Sequence, residues 1–271
     1  MIFQSFQPGP PLDQYVRDYV YYRDYRPDHN IDRLVPDGSV SLLIALNDNP
    51  QYLFDNVTLE PVKKFQHSWI SGMQETFLTI SSGSGVEMIV VSFLPGGCFP
   101  FLGMPVTELR NQVIEASVVF GREIEHLRER LGATTAEFYF QIITSWLLAK
   151  LYWAETISPV IRFGIDKISS MPSKAAIAEI VDRSGYSSKQ FIHLFKSQVG
   201  VTPKSFQRIS RFNKILSEIY GKNSLNWIGL ADDFGYYDQS HFIKDFRNFS
   251  GINPELYISS KGAYMHYVPI R

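Results

Sequence analysis

The sequence predicts a two-domain protein. Residues 1–155 read as a mixed α/β domain, strands first and helices after, and residues 156–271 as an all-α domain. Three observations carry this. Short β-branched and aromatic runs, separated by turn-forming residues, occupy the first hundred positions. From Gly121 the apolar spacing becomes helical. A thirteen-residue pattern then occurs twice, as "LFKSQVGVTPKSF" at 194–206 and "DFRNFSGINPELY" at 245–257, with every matched pair 51 residues apart.

Residues 12–24 carry a short amphipathic pattern. The strand-like runs are "SVSLLIAL" (39–46), "HSWISGM" (67–73), "TFLTIS" (76–81) and "EMIVVSFLP" (87–95), divided by "NDNP", "SSGSG" and "PGG". In "GREIEHLRERLG" (121–132), Ile124, Leu127 and Leu131 fall on one helical face with Glu and Arg opposite. The segment 134–153 is apolar nearly all round, which fits a helix closing the N-terminal core or a subunit contact.

From about Thr156 the chain reads as short helices with no strand signal. Ser158 and Pro159 open the first of them as cap and first helical residue. Met171–Pro172 breaks it, and "SKAAIAEIVDRSG", "SSKQFIHLFKSQVG", a longer helix from about Pro203 to Tyr220, "SLNWIGLADDFG" and "DQSHFIKDFRNFSG" follow before the tail.

Each copy of the repeat has a helix ending at a glycine, Gly185 or Gly235, then three or four residues, then a second helix from near Ser187 or Asp238. This is the layout of a helix-turn-helix. Gly is suited to such a turn, where φ > 0 or close packing is required. Ala231, four residues before Gly235, is small enough to let the second helix approach; Val181 holds the equivalent place in the first unit. The all-α half is therefore two helix-turn-helix units joined by a linker helix. Phe191, Leu194 and Phe195 in one unit, and Phe242, Phe246 and Phe249 in the other, read as core. The opposite faces carry Ser188, Lys189, Gln190 and His193, and Gln239, Ser240, Lys244 and Arg247. Hydrogen-bonding side chains so placed suit a helix in the major groove. The linker helix, 204–220, spans roughly 25 Å at ~1.5 Å per residue. With its flanking turns it can set two recognition helices about one DNA turn, ~34 Å, apart. Lys204, Arg208 and Arg211 on this helix, with Lys196 and Arg247 at the ends of the recognition helices, are expected to meet phosphates.

Charge agrees with this division. Residues 1–155 hold 11 Lys and Arg against 18 Asp and Glu, and residues 156–271 hold 15 against 9. The excess of −7 on one half and +6 on the other makes a polyanion the expected partner of the C-terminal half.

On these motifs, residues 158–258 resemble the DNA-binding domain of AraC/XylS transcription regulators. "GYYDQSHFIKDFRNFSGINPELY" (235–257) is similar to the C-terminal signature of that family, and "SGYSSKQFIHLFKSQVGVTPKSFQRISR" (184–211) to its first half. Two positions depart: Ile215 replaces a usual Ala in the linker helix, and Ile258 stands where a basic residue often follows the Tyr. The resemblance implies that Lys189, His193, Gln239, Ser240 and Lys244 face bases. It also implies an effector-binding or dimerising N-terminal domain, and "RLVPDGSVSLLIAL" and "VSFLPGGCFPFLGMPVTEL" resemble that domain in a less characterised branch of the family.

Other chemistries find little support. His67 is alone among the strands, so a cupin-like metal site lacks its ligands. One cysteine excludes an internal disulfide, fits a reducing compartment, and argues against a methyl-accepting DNA-repair protein with its zinc-binding cysteines. Cys98 reads as a buried structural residue, a redox sensor being the alternative. There is no Gly-rich phosphate loop and no nucleophile elbow. The start shows no basic stretch leading an apolar one, and no run of ~18 apolar residues occurs, so neither a signal peptide nor a membrane span is expected. The expectation is a cytoplasmic, non-enzymatic, sequence-specific regulator of transcription without a cofactor. Double-stranded DNA is its partner, with a small effector, a second copy of the chain, and RNA polymerase as further candidates. The alternative is an effector-binding or interaction module whose DNA-binding half no longer acts; salt-dependent DNA binding separates the two.

Overall fold

The computed structural model describes residues 1–151, 155–222, 227–260 and 264–270, apart from the side chain of residue 228. In the N-terminal half the strands are β1 (Ile2–Phe6), β2 (Val16–Arg23), β3 (Ile31–Leu34), β4 (Ser41–Ala45), β5 (Gln51–Phe54), β6 (Pro61–Phe65), β7 (Ser68–Ser71), β8 (Leu78–Ser81) and β9 (Met88–Phe93). Helix α1 (Phe99–Leu102), strand β10 (Val113–Glu115) and helices α2 (Ser117–Phe120), α3 (Arg122–Gly132) and α4 (Tyr139–Leu151) follow. The C-terminal half holds α5 (Pro159–Ser170), α6 (Ile177–Ser184), α7 (Ser188–Val199), α8 (Pro203–Ile219), α9 (Trp227–Asp233), α10 (Gln239–Ser250) and α11 (Pro254–Ser260). A last strand, β11 (Tyr267–Ile270), ends the described chain.

The strands form two antiparallel sheets, β1-β2-β9-β4-β7-β10 and β11-β3-β8-β5-β6. Period-two alternation gives the first sheet two apolar faces. Leu42, Ile44, Ile70, Ile89 and Val91 join the large core with the helices, while Ala45, Trp69, Met88 and Val113 join a smaller cluster with Phe65, against the second sheet. The sequence pattern finds β4, β7, β8 and β9. The amphipathic stretch at 12–24 is largely strand β2, whose Tyr19 and Tyr21 are buried. Strand β5 is only four residues long with no alternation in burial, and β6 is mostly exposed, so periodicity misses them.

Helix α3 buries the three residues that its spacing selects, Ile124, Leu127 and Leu131. Helix α4 buries Tyr139, Ile143 and Leu147, and the end of its expected span, 152–154, lies outside the described residues.

The all-α reading of the C-terminal half needs one correction. Strand β11 lies in that half of the sequence but pairs with β3, in register Tyr267↔Leu34 through Ile270↔Ile31. The pattern misses it because four residues with one proline carry little strand signal. The ladder begins with Val35 N–H donating to His266 O at 2.9 Å. Counting from there, Pro269 falls at a non-hydrogen-bonded position, where an edge strand tolerates a missing N–H.

The two halves share one apolar core. It runs from Val91 and Cys98 through Ile157 and Ile165 to Phe195, Phe212 and Phe246.

A candidate nucleic-acid interface

Both helix pairs are built as the repeat predicts. Helix α6 ends at Gly185, φ +73°, and Gly235, φ +70°, follows α9. Each second helix is then capped. Ser187 accepts from Gln190 N–H while the Gln190 side chain accepts from Ser187 N–H, a capping box. Asp238 accepts from His241 N–H at 2.7 Å. Gly200 and Gly251 end α7 and α10 in the left-handed conformation, with φ +99° and +74°.

The apolar stripes lie inside. Phe191, Phe195, Phe242, Phe246 and Phe249 are all buried. The linker helix α8 is fixed to both units by two aromatic residues. Phe206 packs on Phe195 at 5.8 Å between ring centroids, and Phe212 on Phe246 and Phe249 at 5.3 and 4.8 Å. Ile215, the departure from Ala, is fully buried on the same face.

The outward faces correspond at most positions, Ser188, Lys189 and His193 to Gln239, Ser240 and Lys244. Ser188, Lys189, Gln190 and His193 are exposed on α7, and Gln239, Ser240, Lys244 and Arg247 on α10. Positions 189, 192, 193 and 196 make one stripe, and 240, 243, 244 and 247 make its counterpart 51 residues on. Sequence reading missed the isoleucine in the middle of each: Ile192 is exposed and Ile243 half-buried. It also missed Tyr237, 94% exposed beside the Asp238 cap.

Several expected contacts have other employment. The amide oxygen of Gln190 is committed to the cap, accepting from Ser187 N–H and Oγ–H. Arg211 turns inward. Its guanidinium bonds Asp245 at 3.3 Å and lies 4.0 Å over the Tyr236 ring, and only 16% of its side chain is exposed. Arg208, at 42%, pairs with the other oxygen of Asp245 and lies over Phe249. Tyr236 O–H donates to Asp245 as well, at 3.1 Å. A buried aspartate on α10 thus draws Arg211 off the surface expected to meet phosphate and engages the half-exposed Arg208, because a buried carboxylate requires compensating charge. Burial, with Asp245 adding to it, raises the Tyr236 phenol, so it stays a donor. Lys204 and Arg247 are exposed and Lys196 half-buried. Among the described residues, no ion pair engages Lys189, Lys196, Lys204, Lys244 or Arg247.

The N-terminal half grips both units. Thr107 Oγ–H donates to Lys196 O at 2.5 Å, and Thr76 Oγ–H to Asn248 O at 2.7 Å. Burial would raise the Glu75 carboxyl, but hydrogen bonds from Ser205, Arg110 and Asn111 hold it below its usual range.

A second feature lies between the two sheets. A cavity of about 240 Å³ is lined by Tyr22, Leu53, Phe65, Trp69, Met88 and Val90, with Arg17, Asp37, Ser39 and His266 also on its wall. Arg17 donates to Asp37 at 3.0 Å and Ser39 Oγ–H at 2.7 Å. Burial opposes the Asp37 charge, yet Arg17, His266 and Ser39 hold its carboxyl below the ordinary range. Burial pulls the His266 imidazole below 6.5 despite Asp37. Cys98 is fully buried and burial pushes its thiol up to about 12, which suits packing and not redox chemistry. Among the described residues there is no metal-binding cluster, and no helix is long and apolar enough to cross a membrane.

Residues 4–115 match a domain of unknown function (DUF6597), and residues 180–260 match a helix-turn-helix domain. No curated protein sequence matches the chain. Among solved structures, ToxT from Vibrio cholerae aligns over 95% of this chain and 98% of its own, at 11% identity and a TM-score of 0.47. ToxT from strain SCE256 bound to an unsaturated fatty acid covers 94% of each chain at 12% identity and a TM-score of 0.45. The C-terminal domain of AraT, a response regulator from Geobacillus stearothermophilus, covers 41% of this chain and 92% of its own at 18% identity and a TM-score of 0.37. With two capped helix-turn-helix units on one linker helix, and the helix-turn-helix match spanning both, residues 180–260 form a helix-turn-helix DNA-binding domain of the AraC type.

Proposed function

We propose that the protein reads two adjacent major-groove segments of its operator with α7 and α10, under control of a small effector held between the two sheets. One observation supports the first part above all: two capped helices present stripes of the same register, 51 residues apart. On α7, Lys189 and His193 face bases, with Ser188 beside them; on α10, Gln239, Ser240 and Lys244 do so. Lys suits guanine O6 and N7, Gln pairs bidentately with adenine, and Ile192 and Ile243 offer apolar contact to a thymine methyl. Lys196, Lys204 and Arg247 meet phosphates.

The effector site is the cavity between the sheets, which combines aromatic walls with a few convergent polar groups. Dimerisation is assigned to α4 and not to α3. Helix α3 spends Ile124, Leu127 and Leu131 on its own domain, whereas Leu148 on α4 and Phe138 just before it remain 39% and 46% exposed.

Randomised-site selection tests the two-reader arrangement. Lys189→Ala and Gln239→Ala each relax preference at one base cluster, by ~1–3 kcal/mol at one position, and the two clusters lie about one helical turn apart. Effects on a single shared cluster, or on neither, would sink it.

A further inference from the structure

The polar end of the cavity is completed by the far end of the chain. After α11 the chain leaves the second helix-turn-helix unit and returns to the N-terminal domain as β11, the edge strand of the second sheet. Three anchors hold this strap. Tyr257 O–H, on α11, donates to Met265 O at 2.6 Å. Val35 N–H donates to His266 O at 2.9 Å. Val268 is 1% exposed, inside the core. His266 and Tyr267 thereby become part of the cavity wall, beside Arg17 and Asp37.

His266 also faces the linker helix. Its Nε2–H donates to Asn213 Oδ1 at 2.7 Å, and Asn213 Nδ2–H donates to Pro36 O at 3.0 Å. One imidazole therefore touches the cavity and the helix that spaces the two readers. Because the strap is an edge strand, it can leave without breaking the rest of the sheet, exposing β3 as a new edge.

We infer that the C-terminal strap is a part of the effector site contributed by the DNA-binding half, and that His266 couples the cavity to the linker helix. This rests on the cavity being the effector site. A ligand that fills the polar end must either pack against His266 and strengthen its hold on Asn213, or displace the strap and release the second unit. Occupancy and strap seating are then linked equilibria, each shifting the other by the same factor.

Two measurements on the full chain test this. In Ser92→Cys the new thiol lies on the cavity wall at a position 5% exposed in the native chain, while Cys98 is buried and silent. Methyl methanethiosulfonate is the probe. Unseating the strap by Val268→Asp, or by deleting residues 264–271, is expected to speed modification at least about tenfold, as local opening exposes the wall. Spin labels at Asp182→Cys and Asp233→Cys, both exposed on the first helices of the two units, report their mutual distance. His266→Ala, which removes a single contact to Asn213, is expected to broaden a narrow distance distribution, and the deletion to broaden it further. Unchanged labelling rates overturn the strap as a wall, and an unchanged distribution in both variants overturns the coupling. Operator affinity is measured alongside. Loss of all DNA binding by the native chain defeats the reader assignment and leaves these two results standing, whereas intact binding with two negative results defeats the strap alone.

Discussion

Arg211 and Arg247 look interchangeable in the sequence, but the structure turns Arg211 inward to Asp245 and leaves Arg247 exposed. Arg211→Ala removes one of two arginines from Asp245, which is 4% exposed, and takes a cation from the face of Tyr236. Removing one partner of a buried, hydrogen-bonded pair costs about 3–5 kcal/mol. Arg208 still compensates Asp245, so the lower end of that range, about 3 kcal/mol, is expected for Arg211→Ala. Asp245→Ala should reach the upper end, because it strands Arg211 and the Tyr236 hydroxyl together. Arg208→Ala removes a half-exposed partner and should cost no more than about 1 kcal/mol. Urea unfolding of the three variants gives the order Asp245 > Arg211 > Arg208. A cost for Arg208→Ala equal to that of Arg211→Ala would refute the inward assignment. So would a salt slope of DNA binding that falls by about 1 in Arg211→Ala, since that is the mark of a lost phosphate contact.

Arg247→Ala should show the converse: binding to specific and random DNA weakens alike, the salt slope falls by about 1, and stability is unchanged. Cys98 should resist thiol reagents in the native chain at pH 8 and react only on unfolding, because burial holds its thiol near 12. The His266 pKa lies below its ordinary 6.5 in the folded chain, so the unfolded chain takes up the proton first as pH falls. Its contribution is fully present above about 6.5 and is lost as pH falls towards the folded value. Comparing wild type with His266→Asn, the wild type should lose more stability between about pH 7 and 5; equal losses would count against a buried neutral imidazole.

What the sequence made legible followed from redundancy and period. Two copies of one pattern fixed the helix ends at Gly200 and Gly251, the aromatic core and the outward stripes, because each copy checks the other. The strands β4, β7 and β9 were legible because both faces of a central strand bury apolar residues. Strands β5 and β6 were not, since β5 is only four residues long and partly exposed throughout, and β6 is a sheet edge whose residues are mostly exposed. The role of Asp245 was hidden for a different reason. A single aspartate on a helix surface looks solvated until two arginines, 34 and 37 residues earlier in sequence, are seen to converge on it. Strand β11 was hidden because its pairing partner lies more than 230 residues away and only tertiary structure joins them.

The shared ending of the two units has a second purpose that no local pattern shows. Stopping a helix needs a left-handed residue, and Asn would serve at some cost. Both sites also lack room. A Cβ on Gly251 would come within 2.7 Å of the Phe77 ring, and one on Gly200 within 3.1 Å of Val106 Cγ1. The Gly200 site also faces Met73, four residues before Phe77. Helix α10 therefore ends against Phe77, and α7 against Val106 with Met73 beside it, while Ser205 of the linker helix bonds Glu75 in the same part of the N-terminal domain. Gly72 and Gln74, next to Met73, also line the cavity, as His266 does. The glycines thus do more than terminate two helices. They let α7 and α10 both end in close contact with the N-terminal domain, where any side chain at Gly251 would meet the Phe77 ring.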